Sequence, residues 1–146
     1  MSNRIECYCG AVALRCEGKP VASVYCHCSD CRSAWLAPVA DVVAFMPEQT
    51  TVERGEEALV QGVITPRMSN YSCGQCGALV YNTDRFGFRT TSGAMFRRAN
   101  GGSLPEGFAA QIHIYYTERV LDIDDALPKF KDVPTDLGGS GDLWEP

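Results

Sequence analysis

No run of eighteen apolar residues occurs anywhere in the chain, so no segment has the length and hydropathy of a membrane-spanning helix. The opening residues, Met1 to Glu6, lack the charged-then-apolar layout of a secretory signal. Together these absences lead us to expect a soluble, unexported, cytoplasmic protein. Positive charge is also scarce. The net charge is −5 and the isoelectric point about 5.0, with no basic or proline-rich extension. Phosphate backbones and anionic lipid surfaces need clustered cations, so neither nucleic acid nor membrane is expected as a partner. Internal repeats and low-complexity segments are missing too. At 146 residues with 45% apolar side chains, the chain is expected to close one hydrophobic core.

What is present is unevenly distributed. Residues 1–57 carry five basic against eight acidic side chains, residues 58–105 five against one, and residues 106–146 three against nine. The middle third is basic. Short alternating or apolar runs, separated by turn residues, fall at 4–7, 11–16, 21–26, 39–45, 58–64, 68–73, 78–81 and 109–116. Such a pattern predicts a mainly β protein of antiparallel sheets. One short helix is expected over Ser29 to Trp35, capped by Ser29 or Asp30. The glycine-rich stretch from Thr83 to Phe108 reads as strand broken by a long loop, of a kind that covers a site. We place the domain at residues 1–131 and expect the 132–146 tail, ending in Gly138, Gly139 and Gly141, to be poorly ordered.

Eight cysteines stand at 7, 9, 16, 26, 28, 31, 73 and 76. In a reducing compartment, clusters at such spacing hold metal more often than they form disulfides. Residues two apart on a strand share a face, so Cys7 with Cys9, and Cys26 with Cys28, each present two sulfurs together. Cys73-Gly74-Gln75-Cys76-Gly77 reads as a knuckle whose glycines permit a tight turn around a metal. Two pairs complete a tetrahedral zinc site, and Cys7, Cys9, Cys73 and Cys76 satisfy that count. The remaining Cys26, Cys28 and Cys31 offer three thiolates and leave a position open, as catalytic zinc sites do. Spacing alone also permits the pairing in which Cys26, Cys28 or Cys31 joins Cys73 and Cys76. Cys16 ends an alternating run and reads as a core residue. His27, between two ligands, points to the opposite strand face and suits packing or support of the ligands rather than coordination. His113 reads as a satisfied sheet residue.

Three thiolates outweigh the charge of Zn²⁺, so such a site is a poor generator of hydroxide. It suits a substrate thiol taken as fourth ligand and delivered as a nucleophile. If that thiol belongs to a small anion, arginines become candidate clamps: Arg32 beside the open cluster, and Arg67, Arg85, Arg89, Arg97 and Arg98 in the basic third.

Cys7-Tyr8-Cys9-Gly10-Ala11-Val12, Cys26-His27-Cys28-Ser29-Asp30-Cys31-Arg32 and Cys73-Gly74-Gln75-Cys76-Gly77 occur in that order, followed by Ile112-His113-Ile114-Tyr115 and Leu127-Pro128-Lys129-Phe130. Over residues 3–131 the chain resembles the glutathione-dependent formaldehyde-activating enzyme family, which includes centromere protein V. The resemblance implies a β-tent zinc-binding fold, a closed zinc at Cys7, Cys9, Cys73 and Cys76, and a second zinc at Cys26, Cys28 and Cys31. It further implies a carbon-sulfur lyase reaction in which glutathione, bound through that second metal, condenses with formaldehyde to S-hydroxymethylglutathione. Arg32 and Arg67 are then the expected contacts to the thiol's charged groups. Two other classes compete: a non-catalytic zinc module that binds a protein, and a zinc or redox sensor that loses metal when Cys26, Cys28 and Cys31 are oxidised.

Overall fold

The computed structural model describes residues 2–146; Met1, at which the domain reading starts, lies outside them. Ten strands and two short helices follow one another: β1 (Ser2–Glu6), β2 (Ala13–Glu17), β3 (Ala22–Cys26), α1 (Ser29–Trp35), β4 (Ala40–Phe45), β5 (Thr50–Arg54), β6 (Leu59–Thr65), β7 (Met68–Cys73), β8 (Leu79–Thr83), β9 (Arg89–Ser92), α2 (Gly93–Ala99) and β10 (Ile112–Ile114). The protein is mainly β. Strands β1-β2-β5 form one sheet, and β10-β3-β4-β9-β8-β7-β6 form a second. Every named pairing is antiparallel except β10 on β3.

Alternation explains most of these strands. In β2, Leu14 and Cys16 bury one face while Arg15 and Glu17 lie towards solvent and pair with each other at 2.9 Å. In β4, Ala40, Val42 and Ala44 share one face and Val43 and Phe45 the other, and both faces are covered. Ile5, Leu14, Phe45, Val80 and Phe96 close the main core between the sheets and α2.

Two expectations need correction. The stretch from Thr83 to Phe108 does contain strand, as β9, but the expected long loop is interrupted by helix α2. Ser92 caps α2 by accepting from the Ala94 amide at 3.1 Å, Met95 and Phe96 pack inwards, and Arg97 and Arg98 occupy the last turn. Gly93 starts this helix because a Cβ there would run into the Asp41 carboxylate. Phe108 is buried, with its ring 5.9 Å from Phe45 and 4.9 Å from Phe96. The expected strand over 109–116 shrinks to Ile112–Ile114, because Tyr115 turns left-handed at φ 51° and ends the ladder. Strand β5 escaped the reading; its Glu53 and Arg54 are solvent-facing and hide the alternation.

Residues 132–146 fold back along the β10 end. The Trp144 amide donates to the Lys129 carbonyl at 2.7 Å, Phe130 bridges Leu143, and Val133 is buried.

Candidate metal centres and active site

Cys7 and Cys9 follow the last residue of β1 and lie in a turn rather than on the strand; Cys73 ends β7 and Cys76 closes the knuckle. Gly77 makes that knuckle possible: at φ 77° its amide reaches back to the Cys73 carbonyl at 2.8 Å. The four sulfurs lie within 4.8 Å of one another. Cys9 is 3.7 Å from both Cys7 and Cys73, close to the edge of about 3.8 Å in a tetrahedron with metal–sulfur bonds of about 2.3 Å. A disulfide needs about 2.05 Å. Backbone amides point at the sulfurs, Val12 N–H to Cys7 at 3.2 Å and Gln75 N–H to Cys73 at 3.4 Å, as suits thiolates. The Ala78 amide likewise holds Cys76 down to about 6. The donor set therefore fits a closed four-sulfur metal site joining the β1–β2 turn to the β7–β8 turn.

Cys26, Cys28 and Cys31 form the second cluster, also within 4.8 Å. Cys26 ends β3. Cys28, not Ser29 or Asp30, caps α1: its sulfur accepts from the Cys31 amide at 3.3 Å. Cys26 and Cys28 sulfurs lie 3.4 Å apart. Hydrogen bonds from the Cys26 and Cys31 thiols, with the Arg85 guanidinium beside it, favour Cys28 as thiolate, while hydrogen bonding with Cys28 and Cys31, together with burial, pushes Cys26 up. Three sulfurs converge, and their open side faces a cavity of about 40 Å³. Cys16 belongs to neither cluster; buried, it is pushed up to about 12 by loss of solvent.

His27 and His113 are both fully buried and joined, His27 Nε2 to His113 Nδ1 at 2.8 Å. His113 Nε2 then meets Asp125 Oδ2 at 2.8 Å, and Lys129 Nζ donates to Asp125 Oδ1 at 2.8 Å. An acceptor at Asp125 orders the chain: His113 carries its proton on Nε2, and His27 donates from Nε2 to the free Nδ1 of His113. Burial holds His27 down to about 4, so it is neutral. Opposed by some burial, the Lys129 and His113 bonds hold Asp125 down to about 2.

Arg32 Nε donates to the His27 carbonyl at 2.9 Å and its Nη2 to the Glu118 carbonyl at 3.3 Å. It braces the loop that carries the cysteines. Arg85 is the cation at the sulfurs, with Nη2 3.8 Å from Cys28, 3.3 Å from Asp30 Oδ2, and Nη1 3.3 Å from the Tyr115 hydroxyl. Arg67 lies next to it across a surface pocket of about 320 Å³ that Asp30 and Arg85 also line. Sequence reasoning had Arg85 only as one of six arginines, and nothing local marks it out, because the turn at 84–88 places it. Tyr115, noted only within the Ile112–Tyr115 motif, was not singled out either, because the left-handed turn at the end of β10 is what places it there.

Fold and sites together define a mainly β protein with two cysteine clusters, each able to hold a metal ion such as zinc. Its family is plain from comparison: the chain belongs to the glutathione-dependent formaldehyde-activating enzyme family, whose model matches residues 2–118. A crystal structure of a Rhodobacter sphaeroides protein shares the fold, with a TM-score of 0.51 and 20% identity over 70% of this chain and 98% of that one. No curated protein matches. No helix among the described residues is long and apolar enough to cross a membrane.

Proposed function

We propose that the protein is a zinc-dependent carbon-sulfur lyase that condenses formaldehyde with glutathione to S-hydroxymethylglutathione. The observation that carries this reading is the second cluster: three sulfurs rather than four, with their open side on a cavity. Zinc held by Cys26, Cys28 and Cys31 supplies a soft cation that keeps a fourth sulfur ligand deprotonated at neutral pH. Cys7, Cys9, Cys73 and Cys76 hold the structural ion. The charges around the mouth suit a zwitterionic thiol. Arg67 has no ion-pair partner among the described residues, Arg85 has one in Asp30, and the pocket between them offers cations for carboxylates and an acid for an ammonium. Arg32 holds the loop in place. In the reaction the thiol sulfur bonds to the carbonyl carbon, the carbonyl pair moves to oxygen, and oxygen takes the proton the thiol gave up. Eight free thiols support a reducing, cytoplasmic setting.

The test combines metal analysis with exchange NMR of glutathione and formaldehyde, which separates catalysed from spontaneous condensation. We expect two zincs in the native protein, one in Cys26→Ala, and acceleration only in the former. Arg85→Ala should raise KM for glutathione about tenfold, the worth of one charge-assisted hydrogen bond, and change kcat less. A native protein that binds both metals yet leaves the exchange rate at its spontaneous value overturns the reading.

A further inference from the structure

The cavity at the open cluster does not stop at the sulfurs. It follows β3 from Cys26 past Val24 to Ala22, residues that alternate onto one face. At about 3.3 Å per residue this is roughly 13 Å of floor. Val42 and Ala44 of β4 stand directly opposite Val24 and Ala22, so the floor is made of small or narrow side chains. Phe86 and Phe88 also line the space. They stand on a fixed turn, since the Asp84 carboxylate accepts from both their amides, at 3.0 and 2.8 Å. At the far end Asn82 and Thr90 hydrogen-bond each other and leave little polarity for a ligand. Water needs about 10–15 Å³ and several polar partners. Here about 40 Å³ are available, room for three or four atoms of that size, with few polar groups to hold water.

Formaldehyde has nothing to place in such a slot, since its carbon carries only hydrogens. A short alkyl chain does. We infer that the aldehyde taken by this site carries an unbranched aliphatic chain, two to four carbons in all, lying between the β3–β4 floor and Phe86 and Phe88. The inference rests on the thiol-condensing step of the reading above, keeps its metal and its thiol, and puts a longer aldehyde in place of formaldehyde as the preferred substrate. The chemistry balances as before: the thiol sulfur bonds to the aldehyde carbon, the C=O π bond opens, the proton moves from sulfur to oxygen, and a hemithioacetal results with nothing oxidised or reduced.

Each methylene that enters the slot should tighten binding about fourfold, the equivalent of about 0.8 kcal/mol. Exchange NMR on the zinc-loaded protein would compare formaldehyde, acetaldehyde, propanal and 2-methylpropanal with glutathione as the common thiol. A second readout avoids turnover: binding of ethanethiol, propanethiol and butanethiol to the cobalt-substituted protein, followed by the thiolate-to-cobalt absorption band. We expect kcat/KM to rise from formaldehyde to propanal and to fall for the branched aldehyde, and thiol affinity to climb along the series. Ala44→Leu should fill the slot and cut the propanal-to-formaldehyde ratio about tenfold, with Ala22→Val as the milder change should Ala44→Leu fold poorly. A flat thiol series, or catalysis confined to formaldehyde, overturns the alkyl slot and leaves the condensation intact. No acceleration with any aldehyde overturns the condensation itself, and the aldehyde assignment with it.

Discussion

Asp125 stands at the solvent end of a hydrogen-bond chain that runs through two buried imidazoles to the loop between Cys26 and Cys28. His27 Nδ1, at the inner end, has no partner among the described residues. A neutral histidine has one donor and one acceptor, so the direction of the bond between the two imidazoles is set only if something outside fixes which nitrogen is protonated. Asp125 does that. Asp125→Ala should leave a buried donor without a partner, at a cost of about 1–3 kcal/mol, and Asp125→Asn, which keeps an acceptor oxygen, should recover most of it. Urea unfolding measures the cost, and ¹⁵N shifts of the imidazoles report the tautomers: both protons on Nε2 in the native protein and in Asp125→Asn, mixed forms in Asp125→Ala. Native-like tautomers in Asp125→Ala would show that Asp125 does not set them. Little of this chain was legible beforehand. His27 could be turned away from the metal by carrying the alternation of β3 one residue past its end at Cys26, whereas its partner lies 86 residues away and depends on the parallel β10–β3 pairing. Arg85 and Arg32 teach the same lesson in reverse. Adjacency to Cys31 made Arg32 conspicuous, yet its guanidinium is engaged by backbone carbonyls, and the cation at the sulfurs comes from a turn over fifty residues on.

Among the elements, those built from a local repeat could be read and those set by tertiary contact could not. Helix α1 follows directly from its sequence, although a cysteine sulfur takes the capping role usually given to serine or aspartate. Helix α2 is seven residues that begin at Gly93 and run out into Gly101 and Gly102. Its apolar pair, Met95 and Phe96, is too short to declare a period, and only packing beneath β4 and β1 selects it. The turn after β5 shows how tight such packing is. Gly55 sits at φ 81° with its α-carbon against the Ala11 carbonyl, so a Cβ there collides with backbone. Left-handed geometry alone costs a non-glycine residue about 1–2 kcal/mol, and the collision adds to it. Gly55→Ala should therefore lower Tm by about 5–10 °C, on a scale of about 2–4 °C per kcal/mol for chains of this size. The shift is read by calorimetry, and an unchanged Tm would mean that the β5 turn does not bear on the Cys7–Val12 loop as drawn.

At the scale of the whole molecule, the two clusters stand in different mechanical settings. Cys7 and Cys9 lie in the β1–β2 turn of the three-stranded sheet, and Cys73 and Cys76 at the β7–β8 turn of the seven-stranded one; a metal on those four sulfurs crosslinks the sheets across more than sixty residues of chain. The three-sulfur cluster sits within one local stretch, from the end of β3 to the first turn of α1, where hydrogen bonds from Arg32 and the β10 ladder already fix the backbone. Ligand arithmetic favoured pairing the first two cysteines with the last two, but spacing left open a pairing of Cys26, Cys28 or Cys31 with Cys73 and Cys76, and only the folded chain brings the first set together. That the site cavity also borrows Leu137 from the chain's last fifteen residues was not legible, because glycines at 138, 139 and 141 disguise a segment held by Val133 and by Trp144, whose ring lies 4.4 Å from the Arg119 guanidinium. Structural zinc contributes about 10–16 kcal/mol to the folding of small domains, as much as or more than the usual net stability of about 5–15 kcal/mol. Cys73→Ala should then unfold the protein at room temperature, seen as loss of the β signal in circular dichroism, whereas Cys26→Ala should stay folded with one metal gone. The asymmetry is the decisive part. Equal damage from the two substitutions would place the crosslink elsewhere, and a folded Cys73→Ala protein that keeps both metals would remove the closed site from the molecule altogether.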